Sequence, residues 1–176
     1  HNTITYLTYD HLMPEDEVKK HLEAINALSL LDRKNTSTLL DVGAATGRYP
    51  LLFSDLGFEV VGVDHSSGAL HYANLKRTTK NPTFVVGDGI KLPFEDSSFD
   101  AVTCMMGTFT YFPPNSRSEI ITEFSRVLKP DGEFILSTWD IECQYQSYLT
   151  LYDEPDKERI RKNSLKRQKV VDLLKD

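Results

Sequence analysis

Residues 38–47 read TLLDVGAATG, and no other stretch limits the fold as tightly. Leu39, Leu40 and Val42 make a short buried strand that carries Asp41 at its end and runs into a glycine turn. A helix pattern follows, with Leu51, Leu52 and Leu56 as its apolar positions and Gly57 placed to cap its far end. Strand, glycine turn and helix together form a nucleotide-cradling unit. Glycines let the backbone pass close to a ligand, and N–H groups at the helix start attract it. The spacing differs from the dinucleotide fingerprint G-x-G-x-x-G, because the turn runs Gly43-Ala44-Ala45-Thr46-Gly47. Asp41 faces a phosphate badly and a cationic ligand well.

The chain after this unit alternates strand and helix patterns. Glu59 to Asp64 (EVVGVD) is apolar enough for burial on both faces of a parallel sheet. Asp64, at its carboxyl end and about 20 residues after the turn, can accept hydrogen bonds from both hydroxyls of a ribose. Ser66 or Ser67 caps a helix holding Leu70, Ala73 and Leu75. Thr83 to Asp88 is the third strand, again ending in an acid, and Ala101 to Met106 the fourth. The aromatic run Gly107 to Pro114 (GTFTYFPP) then falls at a strand's carboxyl end, where open α/β sheets bind ligands. Phe109, Tyr111 and Phe112 read equally well as core aromatics. A helix over 115–128 has a Ser116–Glu119 capping box and an apolar stripe of Ile120, Ile121, Phe124, Val127 and Leu128. Lys129-Pro130-Asp131-Gly132 stops it before a fifth strand, Glu133 to Trp139. The pattern predicts an α/β fold with a mostly parallel sheet flanked by helices.

Residues 1–37 read as an N-terminal arm and helix on the substrate side. The arm (His1 to Pro14) is either surface packing or a lid. Pro14 to Leu31 is amphipathic, with Val18, Leu22, Ile25 and Leu28 on one face. Residues 38–140 read as the ligand-binding core and 141–176 as a charged tail. The tail is either a solvated helix or a basic patch for nucleic acid, and it either completes the domain or is incomplete.

Composition narrows the function classes. The 176 residues fit one domain. A net charge of −6 disfavours long RNA or DNA as partner. The two cysteines, Cys104 and Cys143, lack metal or redox spacing, so a reducing cytoplasm is the expected compartment and no metal site is expected. No apolar run reaches the roughly 18 residues of a membrane span. The oligomeric state stays open, a dimer included.

Four stretches carry a family resemblance. DVGAATG resembles the first motif, D-x-G-x-G-x-G, of class I S-adenosylmethionine-dependent methyltransferases, with Ala45 at the middle glycine's place. GD-x-x-x-LPF-x-D-x-SFD (Gly87 to Asp100) resembles the small-molecule methyltransferases grouped as type 11, and VVGVD and LKPDGEF follow the same pattern. The resemblance implies a Rossmann-like class I fold; members of the family usually continue into a C-terminal antiparallel strand pair, and the 36 residues after Asp140 leave open whether it is present, truncated or lacking. It implies S-adenosyl-L-methionine as cofactor and a small-molecule methyl acceptor, modified at O, N or C. Asp41 would steady the sulfonium end or its amino group, while Gly43, Ala44 and Gly47 let the backbone approach. Asp64, with its neighbour His65, would hold the ribose. Asp88 would hold the adenine amino group, Gly89 would allow close approach there, and the backbone from Met105 to Gly107 would pass near the ligand. The cofactor brings the electrophile, so these are binding residues, and no nucleophile stands out. A general base is needed only for a hydroxyl or acidic carbon, and His11, His65 and Tyr111 are the candidates. Two other readings stand: a catalytically silent cofactor-binding or interaction module, and a nicotinamide-dependent oxidoreductase, which the glycine spacing disfavours. Ala45 costs little in an ordinary backbone region and more at positive φ.

Overall fold

The computed structural model describes Leu31 and residues 36–137. The expected arm, the rest of the first helix, His11, Trp139 and the tail beyond residue 140 lie outside the described residues.

Five strands form one sheet: β1 (Thr38–Val42), β2 (Glu59–Asp64), β3 (Thr83–Val86), β4 (Phe99–Cys104) and β5 (Leu128–Leu136). Four helices join them: α1 (Arg48–Asp55), α2 (Ser67–Lys76), the short α3 (Thr108–Tyr111) and α4 (Arg117–Val127). The strand order is β3-β2-β1-β4-β5, and every pairing is parallel. The order reverses between β1 and β4. Helices leaving those two strands diverge to opposite sides, which opens a crevice beyond their carboxyl ends.

Alternation along the strands sends apolar side chains to both faces. Leu39, Val60 and Ala101 pack with Leu31, Tyr49 and Phe53 on one face. Leu40, Val63 and Val102 pack with Ile120, Phe124 and Val127 on the other. The helices α1 and α4 therefore cover opposite faces of β1, whose central position explains its nearly continuous apolar sequence.

Several expectations are corrected in detail. The buried face of α1 is Tyr49, Pro50 and Phe53, while Leu56 is exposed. In α2 the buried residues are Ala69, Leu70 and Ala73, and Leu75 points to solvent. The Ser116–Glu119 capping box does not form. A 3-10 turn at Pro114–Ser116 leads into α4, and Ser116 (φ −97°, ψ −6°) lacks the extended geometry of a cap. The Lys129 to Gly132 segment belongs to β5. Its ladder shifts register between Phe99 and Ala101, and Asp131 has φ 63°, the features of a bulge. Gly57 ends α1 as expected, at φ 97°, and Ser66 caps α2 through the Ala69 amide.

The Asp of the SFD motif does its work at the far end of the sheet from the crevice. Asp100 Oδ2 accepts from the amides and hydroxyls of Ser37 and Thr38, and Oδ1 accepts from Lys129 Nζ at 2.8 Å. These donors outweigh desolvation and hold its carboxyl well below the usual carboxylate range. The start of β1 is thereby tied to β4 and β5.

Candidate functional site

Three acids gather at one end of the sheet because three adjacent parallel strands end there. Asp41 is the next-to-last residue of β1, Asp64 closes β2, and Asp88 follows β3 by two residues. The third strand is thus shorter than expected, and Asp88 sits in a tight turn. Its Oδ1 accepts from Ile90 N at 3.0 Å, and its carbonyl from Lys91 N at 3.1 Å. Asp88 is exposed, so its other oxygen is open to a ligand.

Asp41 and Asp64 are both buried. Asp41 Oδ1 accepts from Thr103 Oγ1 at 2.7 Å, across the β1–β4 seam. Burial pushes the Asp41 carboxyl up to about 7, the Thr103 hydroxyl pulls it back, and the charge of Asp64 pushes it further up. Burial likewise raises the thiol of Cys104, with the Asp41 charge as second cause. Asp64 has two backbone donors: Ala45 N at 2.9 Å on Oδ2 and Ser66 N at 2.8 Å on Oδ1. A carboxylate has about four acceptor sites, so two remain for a pair of hydroxyls.

The glycine turn is built inward. Gly43 N and Ala44 N both donate to Val63 O, Ala45 N to Asp64, and Gly47 N to Ala44 O. These four amides are therefore committed inside the protein, and Pro50, the third residue of α1, has no N–H to offer. A phosphate would find few of the donors that define a phosphate cradle. Gly43 and Gly47 sit at φ 83° and 81°. A Cβ on Gly47 would lie 2.8 Å from Ala73 Cβ and from Phe84 Cζ, so this glycine serves close packing of the turn against α2 and β3.

Ala45 has φ 47°, the costly branch for a residue with a Cβ. Ala45→Gly is expected to raise stability by about 1 kcal/mol, less what the unfolded chain gains in freedom. A thermal melt checks the sign; a lowered midpoint would show that the Cβ relieves more than it strains.

The remaining predicted residues fall in different places. His65 is exposed, with Nδ1 3.5 Å from Asp64 Oδ1. Tyr111 is 57% exposed, whereas Phe109 and Phe112 pack against the α4-side core. The close approach at Gly89 is made by Phe112, whose Cζ would stand 2.8 Å from a Cβ there. The Met105 side chain is buried in the α1-side core, and its carbonyl accepts from Thr108 N and Oγ1. Thr108 covers Gly43 from the β4 side. Neither Thr103 nor Thr108 stands out in the sequence. The one available signal for Thr103 is a hydroxyl inside a fully buried strand, which requires a partner. Among the described residues, no group of His, Cys, Asp or Glu could hold a metal ion, and no helix is long and apolar enough to cross a membrane.

The family described as methyltransferase domain matches residues 40–136, more than half of the chain and all five strands' carboxyl ends. The chain belongs to the methyltransferase domain family. Its fold is the class I, Rossmann-like one. A demethylmenaquinone methyltransferase of Renibacterium salmoninarum is 34% identical over 116 residues, covering 66% of this chain and 46% of that protein. Another, from Beutenbergia cavernae, is 32% identical over 134 residues, covering 73% and 54%. The methyltransferase domain thus spans about half the length of the curated relatives it matches. The solved structure of PH0226 from Pyrococcus horikoshii superposes with a TM-score of 0.67 at 32% identity, over 77% of this chain and 61% of that one.

Proposed function

We propose that this chain holds S-adenosylmethionine and directs its methyl group to a small molecule. The observation that carries the reading is the polarity of the strand ends. They offer three carboxylates and a turn whose amides point inward, an arrangement suited to a cation and a ribose and unsuited to a pyrophosphate. This speaks against the nicotinamide reading.

The residues fit the cofactor part by part. Asp64 keeps acceptor capacity for two ribose hydroxyls, and exposed Asp88 keeps an oxygen for an adenine amino group. Asp41, buried and only partly ionised near neutral pH, is stabilised as a carboxylate by a nearby positive charge. The Gly43–Gly47 turn, Ala44 included, would form the floor with Thr108 against Gly43, and His65 and Gly89, next in sequence to Asp64 and Asp88, would flank the ribose and adenine positions. Bound there, S-adenosylmethionine supplies an electrophilic methyl group on a sulfonium. The chain's own task is to hold that end, exclude water and leave the β1–β4 crevice for the acceptor. Tyr111, exposed at the carboxyl end of α3, the helix that follows β4, is the base candidate we favour among the described residues.

Small molecules are favoured as acceptors by the net charge of −6, which repels nucleic acid. Demethylmenaquinone, the acceptor in the names of two relatives, is the first to assay. A reducing cytoplasm is the compartment we assign, on two cysteines without pairing spacing. The test is transfer of isotope-labelled methyl from S-adenosylmethionine to a metabolite extract, read by mass spectrometry. Label on a small molecule is the expected result. A chain that binds the cofactor and never releases label would be the silent module instead.

A further inference from the structure

We infer that Arg126, on α4 and away from the glycine turn, is a positioning residue that sets the adenine-recognising turn at Asp88. The inference rests on the S-adenosylmethionine reading above. A guanidinium has five N–H donors, and Arg126 places all five. Nε donates to Glu123 Oε1 at 2.9 Å. Nη1 donates to Phe94 O and Asp96 Oδ1, each at 2.8 Å. Nη2 donates to Leu92 O at 3.1 Å and Glu123 Oε2 at 2.8 Å. The same Glu123 Oε2 accepts from Leu92 N at 2.9 Å. Arginine and glutamate thus grip both the N–H and the C=O of Leu92, then two further points of the loop. Such a planar fork with five placed donors fixes a backbone in a way that a lysine's point charge does not.

Leu92 directly follows the Asp88–Lys91 turn. That turn is anchored at its other end by Gly87 N donating to Asp64 O at 3.0 Å. Pro93 closes over Gly87, where a Cβ would lie 2.9 Å from Pro93 Cδ. The exposed carboxylate of Asp88 therefore stands on a short span held by Asp64's backbone on one side and by the Arg126–Glu123 pair on the other. Asp88 itself contributes only the Ile90 and Lys91 bonds within the turn. Loosening the α4 anchor frees that span, and the direction of the Asp88 acceptor with it. Helix α4 otherwise buries Ile120, Phe124 and Val127 in the core, so its face toward the sheet keeps the fold while Arg126 reaches the loop.

The experiment compares calorimetric titrations of the full chain with S-adenosylhomocysteine and with S-inosylhomocysteine, which carries an oxo group in place of the 6-amino group. Wild type is expected to prefer the adenine form by about 10-fold or more, the value of one discriminating hydrogen bond. Arg126→Gln is expected to lose most of that preference, as Asp88→Ala does. Adding Arg126→Gln to Asp88→Ala should cost little more, the non-additivity of two residues that act as one unit. Arg126→Lys keeps the charge and three donors; it should fall between, and it serves if the glutamine variant does not fold. If Arg126→Gln or Arg126→Lys weakens both ligands equally and keeps the wild-type preference, Arg126 only supports the fold and the inference is overturned. If wild type binds both forms equally, or Asp88→Ala keeps the preference, Asp88 does not read the adenine and the inference falls with it; if wild type binds neither form, the underlying cofactor reading fails instead.

Discussion

Asp64→Ala is expected to weaken binding of S-adenosylhomocysteine by about 100-fold or more. Two charge-assisted hydrogen bonds to ribose hydroxyls contribute roughly 1.5–3 kcal/mol each, and about 1.4 kcal/mol is one decade in affinity. The structure adds a second cost. Asp64 also accepts from Ala45 N and Ser66 N, so its removal releases the glycine turn and the start of α2 from one carboxylate. Each amide left without an acceptor costs about 1–3 kcal/mol. The variant should therefore also melt earlier, while keeping the sheet, whose pairings do not involve this side chain. Asp64→Asn retains one acceptor oxygen and should keep part of both effects. Calorimetry and a thermal melt read them separately. Equal affinity in wild type and Asp64→Ala would remove the role given to this residue.

Asp41→Asn is expected to change how stability depends on pH. The unfolded Asp41 ionises near 3.8, whereas burial holds the folded carboxyl protonated up to about 7. Between those values the folded state binds the extra proton, so stability falls as pH rises through the window and levels off above it. The loss is about 4 kcal/mol at most, at roughly 1.4 kcal/mol for each pH unit the window spans. Asparagine cannot ionise and still accepts from the Thr103 hydroxyl, so the variant should lack this slope and gain on wild type above pH 7. Asp100 has the opposite sign. Its folded carboxyl is depressed, and the stability it contributes is lost only as pH falls below the ordinary carboxylate range. The difference between variant and wild type at pH 5 and pH 8, measured by denaturant titration, isolates Asp41. An identical difference at both pH values would contradict the assignment. If Asp41 answers the sulfonium, as proposed, rather than the amino group, the same variant should narrow the preference for cationic S-adenosylmethionine over neutral S-adenosylhomocysteine.

The parallel sheet and the gathering of Asp41, Asp64 and Asp88 at one end of it were legible in the sequence because each rests on a local signal. Continuous apolar runs mark doubly buried strands, and an acid at the end of each marks the open edge of the sheet. What could not be read depends on how the elements meet. The leucines of α1 resemble a core face, but the turn at Gly47 leaves β1 at an angle that turns Tyr49 and Phe53 inward. Ser116 and Glu119 have the capping spacing, yet the preceding Pro114 turn already runs helically into α4 and denies Ser116 the extended backbone a cap requires. The sequence pattern runs the third strand through Asp88, whereas the chain there folds back toward Lys91. At the site, the composition of the glycine turn was readable, and the inward direction of its amides was not. That direction follows from Val63 O and the Asp64 carboxylate lying beneath the turn, contacts between residues about 20 apart in sequence. The Arg126 grip on Leu92 spans 34 residues and leaves no periodic trace.

The most direct measurement is a calorimetric titration of the full chain with S-adenosylhomocysteine and, separately, with NAD. A saturable one-to-one isotherm with S-adenosylhomocysteine and none with NAD is the expected result, because the strand ends offer carboxylates to a nucleoside and few amides to a pyrophosphate. Binding of NAD without binding of S-adenosylhomocysteine would contradict it.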